Sequence, residues 1–231
     1  MDFAALLSTL PALPDEVQEE VPIALDQLWW RVRMENDMPL RRLVEAVLLM
    51  RGVINIVMAL EGKEASYFAS LSRAEVQEPE FYPEFAETVP IEAGPSAAVT
   101  DRLWENYFRY ALETAATYGS PLLTVALRWE IGLRNALVKR RAVALDVDAK
   151  KLLVLEDEGM EIENYDPLLE EIDLVRAEPR DIVRALGQLR LDRLDELSPW
   201  ATTDHEAIVS YALKLLVLKH ASVFIAKESG E

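Results

Sequence analysis

The chain has 231 residues, of which 51% are hydrophobic, and it carries a formal net charge of −17. The apolar content excludes a wholly disordered chain, and the negative charge disfavours binding to nucleic acid or to an anionic membrane surface. A basic protein partner fits this charge better, unless the charge serves solubility alone. Cysteine is absent, which excludes disulfides and thiol chemistry and favours a cytoplasmic location.

Helical periodicity predicts an all-α fold of about nine or ten helices packed as antiparallel hairpins, with no convincing run of alternating strand residues. Ser120 before a proline, and Thr203 with Glu206, mark two helix starts. Apolar runs at 43–60 and 207–226 contain charged or polar residues, so buried helices are expected there and not membrane spans. The predicted helices are 2–9, 22–36, 39–60, 63–75, 98–118, 121–144, 147–155, 166–175, 179–195 and 203–226.

Proline divides the chain into two parts. Four prolines and one glycine between 76 and 97 predict a loop, because proline removes a backbone donor and disfavours helix in the residue before it. This loop would link an N-terminal helical subdomain at 1–75 to a main helical subdomain at 98–231. The two parts form either one body or two subdomains hinged at the loop. A second, acidic loop is predicted at 156–164.

The most informative segment is 129–142, because charged residues fall on the face that its helix should bury. At 100° per residue, Glu130, Arg134 and Arg141 share one face with apolar residues, and Asn135 lies at its edge. Glu130 and Arg134 are spaced i,i+4 with the acid first, which predicts an ion pair within the helix. Arg141 needs a partner from elsewhere. The set is interpreted as a structural polar network first, a subunit contact second and a catalytic site last.

These residues also carry a resemblance. Glu-x-x-Leu-Arg-Asn at 130–135, followed by Arg-Ala at 141–142, resembles the signature of the C/d subunit of V-type and archaeal-type ATPases. Over its whole length the chain is similar to a bacterial family that is encoded beside V-type ATPase subunits and is related to that subunit. Gly132 departs from the C/d pattern, which often has an acid there, and the chain is shorter than that subunit. The other matching segments are Leu-Pro-x-Leu at 10–13, Leu-Asp-Glu-Leu at 194–197 and the run 207–215.

The resemblance implies a C/d-subunit-like helical bundle and a non-catalytic component associated with a V-type ATPase. In that family the subunit couples the central shaft to the membrane ring, so those subunits are the implied partners. The location would be peripheral to the membrane through the complex, with no direct membrane insertion. The alternatives are a freestanding helical protein-interaction adaptor or assembly factor without a rotary role, and, as a weaker one, a helical-bundle enzyme at Glu130 and Arg134.

Few other residues suggest a site. Phosphate-binding glycine motifs and nucleophile motifs are absent, and the two histidines lack metal-ligand spacing, so no catalytic, cofactor or metal residues are assigned. Trp29 and Trp30 are adjacent and face different directions, so at least one is a candidate interface residue. Lys219 lies on an apolar helix face, where it either extends to the surface or pairs with an acid, and it is the third candidate.

Overall fold

The computed structural model describes residues 3–17, 20–62, 83–89, 96–159 and 178–226. Within these ranges it contains eight α-helices, two 3₁₀ helices and no strand, which confirms the all-α class. The predicted count of nine or ten helices is not confirmed, and the predicted helices at 63–75 and 166–175 lie outside the described residues. The α-helices are α1 (Phe3–Thr9), α2 (Leu25–Met34), α3 (Met38–Leu60), α4 (Glu84–Glu87), α5 (Ala97–Thr117), α6 (Pro121–Leu145), α7 (Pro179–Glu196) and α8 (Asp204–Ala226), and the 3₁₀ helices are Ala149–Leu152 and Ser198–Trp200.

Side-chain caps fix the starts of the long helices. Asp37, Ser96 and Ser120 each accept a hydrogen bond from the backbone three residues on, at 2.7, 3.3 and 3.2 Å. The predicted start at Thr203 is present too, because its Oγ1 accepts from the Glu206 amide at 3.2 Å. The Glu206 carboxylate accepts from the Ser120 hydroxyl at 3.1 Å, which joins the start of α8 to the start of α6.

The core is centred on α3, which packs against α2, α5 and α8. Its side chains Leu40, Val44, Val47 and Ile56 are completely buried in one apolar cluster that also takes in residues of α5, α6 and α8. Helices from both predicted subdomains therefore contribute to the same core. The boundaries between the two subdomains remain a prediction. Among the described helices, α3 alone is long and apolar enough to cross a membrane, but 61% of its most apolar window is buried inside the protein.

The segment after α6 differs from its predicted helix at 147–155. Asp146 takes a left-handed conformation with φ 53°, which ends α6, and the Asp148 side chain then accepts from the Lys150 amide at 3.0 Å. Only the short 3₁₀ helix follows, so the prediction is wrong here, because local aspartate hydrogen bonds compete with helix continuation. The chain then returns along α6, where Val154 is buried.

The described part of the proline-rich stretch contains one more element. Residues 83–89 include the single turn α4, whose Phe85 and Ala86 are buried beside α5. The Asn106 side chain on α5 donates to the Phe85 carbonyl at 2.8 Å and anchors this turn. This part of the predicted loop is therefore packed against the helical body.

Candidate functional site

Glu130 on α6 is held by a residue of α7. Arg190 donates from Nη2 to one carboxylate oxygen at 2.6 Å and from Nε to the other at 2.9 Å. The two side chains are 17% and 24% exposed, so solvent screens this ion pair only partly. The contact joins two helices that are distant in sequence, and each carboxylate oxygen accepts one hydrogen bond from it.

Arg134, one turn further along α6, is bound to α5. Its Nη2 donates to Asp101 at 2.8 Å, and its guanidinium carbon lies 5.1 Å from the centroid of the Trp104 ring. Burial lowers the pKa of Arg134 and raises that of Asp101, and in each case the partner's charge opposes the shift. The predicted ion pair between Glu130 and Arg134 is therefore wrong, because neighbouring helices supply a closer partner to each residue.

Asn135 binds the chain that returns along α6. Its amide nitrogen donates to the Val154 carbonyl at 2.8 Å, and its amide oxygen accepts from the Val154 amide at 3.0 Å. Both groups are buried, so this side chain satisfies a donor and an acceptor that water does not reach.

Arg141 is not part of this network. It is exposed, and so are Val143 and Leu145 in the last turn of α6. The expectation that Arg141 needs a partner elsewhere in the fold is wrong, because the end of α6 extends past the core and leaves its guanidinium in water.

A second polar contact lies between α3 and α8. Arg51 is only 3% exposed, and its Nη1 lies 2.9 Å from Nδ1 of His220. Burial lowers the pKa of Arg51 to about 10. Burial, together with the positive charges of Arg51 and Arg190, lowers the pKa of His220 to about 3. His220 is therefore neutral at pH 7, and its Nδ1 accepts the hydrogen bond from Arg51.

Sequence reasoning missed this contact as a site. The available signal was a charged residue, Arg51, in the apolar run 43–60 and a histidine, His220, in the run 207–226. Each served only to argue against a membrane span. Periodicity places both residues on helices but does not show that α3 and α8 bring them together.

The polar side chains of α6 and α7 border a cavity of about 350 Å³ that is partly open to solvent. Its walls come from five of the long helices and are mostly apolar. Its polar lining residues are Glu130, Arg134, Arg190, Arg193 and His220. A cavity of this size and composition can hold a small organic molecule.

The three candidate interface residues have different surroundings. Trp30 is 63% exposed, and Met34, one turn later on the same face of α2, is 61% exposed. Trp29 is half-buried and packs against the core. Lys219 is also half-buried, and its Nζ donates to the Val21 carbonyl at 3.3 Å, while burial lowers its pKa. Its described hydrogen bond is thus made to a backbone carbonyl and not to an acid.

Neither a metal site among the described residues nor a match to known proteins assigns a role to these side chains. Within the described ranges, no three histidine or carboxylate side chains come together in a way that could hold a metal ion. Searches with this chain find no matching protein family, curated protein or solved structure.

Proposed function

We propose that this protein is a non-catalytic helical component associated with a V-type ATPase, similar to the C/d subunit that couples the central shaft to the membrane ring. The single observation that carries the proposal concerns the polar residues of the segment 130–135, which resembles the C/d signature. Glu130, Arg134 and Asn135 each bind a different neighbour of α6, namely α7, α5 and the segment around Val154. Such cross-links suit a rigid body that transmits force between other subunits.

The state of Glu130 supports a non-catalytic role. A general base must present a carboxylate oxygen within hydrogen-bond reach of the proton that it removes. Both oxygens of Glu130 already accept hydrogen bonds from Arg190. The enzyme alternative needed a solvent-reachable cavity at Glu130, and such a cavity exists. The carboxylate beside it is nevertheless committed to holding α6 against α7.

The surface of α2 is the contact that we propose for the partner. Trp30 and Met34 lie one helical turn apart and are both exposed, and an exposed tryptophan is the residue type that most often anchors a protein interface. The whole chain carries a net charge of −17, so we propose a basic face of the shaft or of the ring as its partner. Charge complementarity of this kind mainly sets the rate and the specificity of docking.

The test is affinity purification of the tagged full chain from its native cells, with mass spectrometry of the proteins that come with it. We expect catalytic and shaft subunits of the ATPase, and we expect Trp30→Ala together with Met34→Ala to reduce their yield. Trp200→Ala is the matched control, because Trp200 is also an exposed tryptophan but lies after α7. Deletion of the gene should impair ATP-driven ion pumping.

The same experiment separates the two non-catalytic alternatives. Stable partners unrelated to the ATPase would favour a freestanding adaptor, which the exposed Trp30 surface would serve equally well. An eluate without ATPase subunits, in mild detergent and at low salt, would overturn the proposed association. Equal losses for the α2 variant and for Trp200→Ala would overturn the assignment of the contact surface alone.

A further inference from the structure

The cavity beside Glu130 has an unequal set of charges on its lining. Three arginines, Arg134, Arg190 and Arg193, face a single carboxylate, that of Glu130. That carboxylate is neutralised by Arg190 through two hydrogen bonds. The remaining walls are apolar and include Leu127 and Leu216. The lining therefore combines a hydrocarbon-like interior with guanidinium groups at its edge.

Two of these arginines have a side-chain N–H group that binds no described residue. Arg134 and Arg193 use a terminal nitrogen to bind Asp101 and Glu196, at 2.8 and 2.7 Å. The Nε of each is buried and has no hydrogen-bond partner among the described residues. A buried donor without a partner costs about 1–3 kcal/mol, and native proteins satisfy most such groups with protein, water or ligand atoms.

We propose that this cavity binds a small amphipathic carboxylate, whose hydrocarbon body lies among the apolar walls and whose head is held by Arg134 and Arg193. Burial of the hydrocarbon supplies affinity in proportion to the apolar area removed from water. Guanidinium groups bind carboxylates through short, charge-assisted hydrogen bonds. A cationic head would instead meet guanidinium groups, and the one carboxylate on the lining, that of Glu130, is already bound by Arg190. The net charge of the chain does not prevent this, because charges beyond about 8–10 Å are largely screened in physiological salt.

The inference is independent of the proposed association with an ATPase. The cavity lies between α3, α5, α6, α7 and α8, whereas the proposed contact is on the exposed face of α2 around Trp30. Binding of a small carboxylate can be measured with the purified chain alone, so either proposal can fail without the other.

The first test compares three head groups on the same eight-carbon chain with the unaltered protein. Octanoate, 1-octanol and octylammonium are titrated by calorimetry and by tryptophan fluorescence, since Trp104 and Trp129 line the cavity. We expect saturable binding of octanoate at one site, about tenfold tighter than that of octanol. This factor corresponds to about 1.4 kcal/mol, the lower end of the contribution of a hydrogen bond to a charged group. Octylammonium should show no saturable binding.

The second test removes one arginine. Arg193→Gln should weaken octanoate binding about tenfold. The substitution leaves Glu196 without its partner, but Glu196 is two-thirds exposed, so the fold should tolerate the change. Arg128→Gln is the control, since Arg128 forms a similar surface ion pair with Glu158 and does not line the cavity. The proposal is overturned by absence of saturable octanoate binding, by equal affinity for the three head groups, or by equal effects of the two substitutions.

Discussion

Arg190 on α7 and Glu130 on α6 are separated by 60 residues of sequence and joined by two hydrogen bonds, of 2.6 and 2.9 Å. A guanidinium that meets a carboxylate in this way fixes the orientation of both planar groups and hence the relative positions of their helices. Most of each side chain is removed from water, which strengthens the attraction but also makes loss of one partner costly. Among the described residues, this pair is therefore a polar link between α6 and α7.

Glu130→Ala should lower the free energy of unfolding by about 2–4 kcal/mol, because Arg190 would keep its charge partly buried without the opposing carboxylate. The estimate is set below the range for fully buried pairs, since both side chains retain some exposure. Urea denaturation followed by circular dichroism measures the change. A double-mutant cycle with Arg190→Ala isolates the coupling between the two residues.

Glu158→Ala is the matched control for this change. Glu158 pairs with Arg128 at 3.2 Å, but both side chains are about half exposed, so its loss should cost less than about 1 kcal/mol. If the two alanine variants lost the same stability, the Glu130 contact would be no more than a surface ion pair.

Asn135→Leu should destabilise the fold by about 2–4 kcal/mol. The substitution removes both hydrogen bonds to Val154 and leaves a buried backbone donor and a buried acceptor without partners. Hydrogen exchange at the Val154 amide should also accelerate, which distinguishes local release of this segment from general loss of packing.

Arg141→Ala, on the same helix, tests whether Arg141 belongs to the structural polar network that the sequence predicted. Arg141 is exposed, so its removal should change the free energy of unfolding by no more than about 0.5 kcal/mol. A loss as large as that of Asn135→Leu would instead place Arg141 among the structural residues.

The long helices could be predicted because their signals are local. The spacing of apolar residues, with Ser120 as the capping residue of α6, places α3, α5 and α6 within one residue of their observed ends. The same reasoning failed at 147–155, where the Asp148 side chain accepts from the Lys150 amide and only a short 3₁₀ helix follows.

The partners within the site could not be predicted, because they depend on which helices become neighbours. Sequence spacing offers Glu130 only a local partner at Arg134, whereas the fold brings Arg190 and Asp101 to these two residues. Periodicity placed Arg141 on the buried face but carries no information on where the core ends along the helix. The cavity is likewise a product of packing between helices.

Gly159→Ala tests the close approach of the returning segment to α6. A Cβ at this position would lie 3.1 Å from Cγ2 of Ile131 and 3.3 Å from the backbone nitrogen of Gly132. The helix backbone cannot move aside easily, so we expect a loss of about 1–3 kcal/mol in thermal or chemical denaturation. Glu158→Ala, at the adjacent exposed position, is the control, and an unchanged midpoint for Gly159→Ala would contradict the close contact.

His220 should make the stability of the protein depend on pH. Its pKa is about 3 in the folded protein and 6.5 in the unfolded chain, so between these values only the unfolded state binds the proton. The free energy of unfolding therefore falls as the pH is lowered below 6.5, by up to about 1.4 kcal/mol per pH unit. The burial of the ring, and then the positive charges of Arg51 and Arg190, disfavour its protonation in the folded state.

His220→Asn removes this titration while keeping an acceptor for Arg51, so unfolding free energies of the two proteins are compared from pH 8 to pH 4.5. Contributions from all other groups are shared and cancel in the difference. The stability of the wild type relative to the variant should be constant above pH 7 and should decrease steadily below pH 6. An NMR titration of the His220 ring gives the direct check. A ring that protonates near pH 6.5 in the folded protein, or two stability curves that stay parallel, would show that the imidazole is not held neutral by its surroundings.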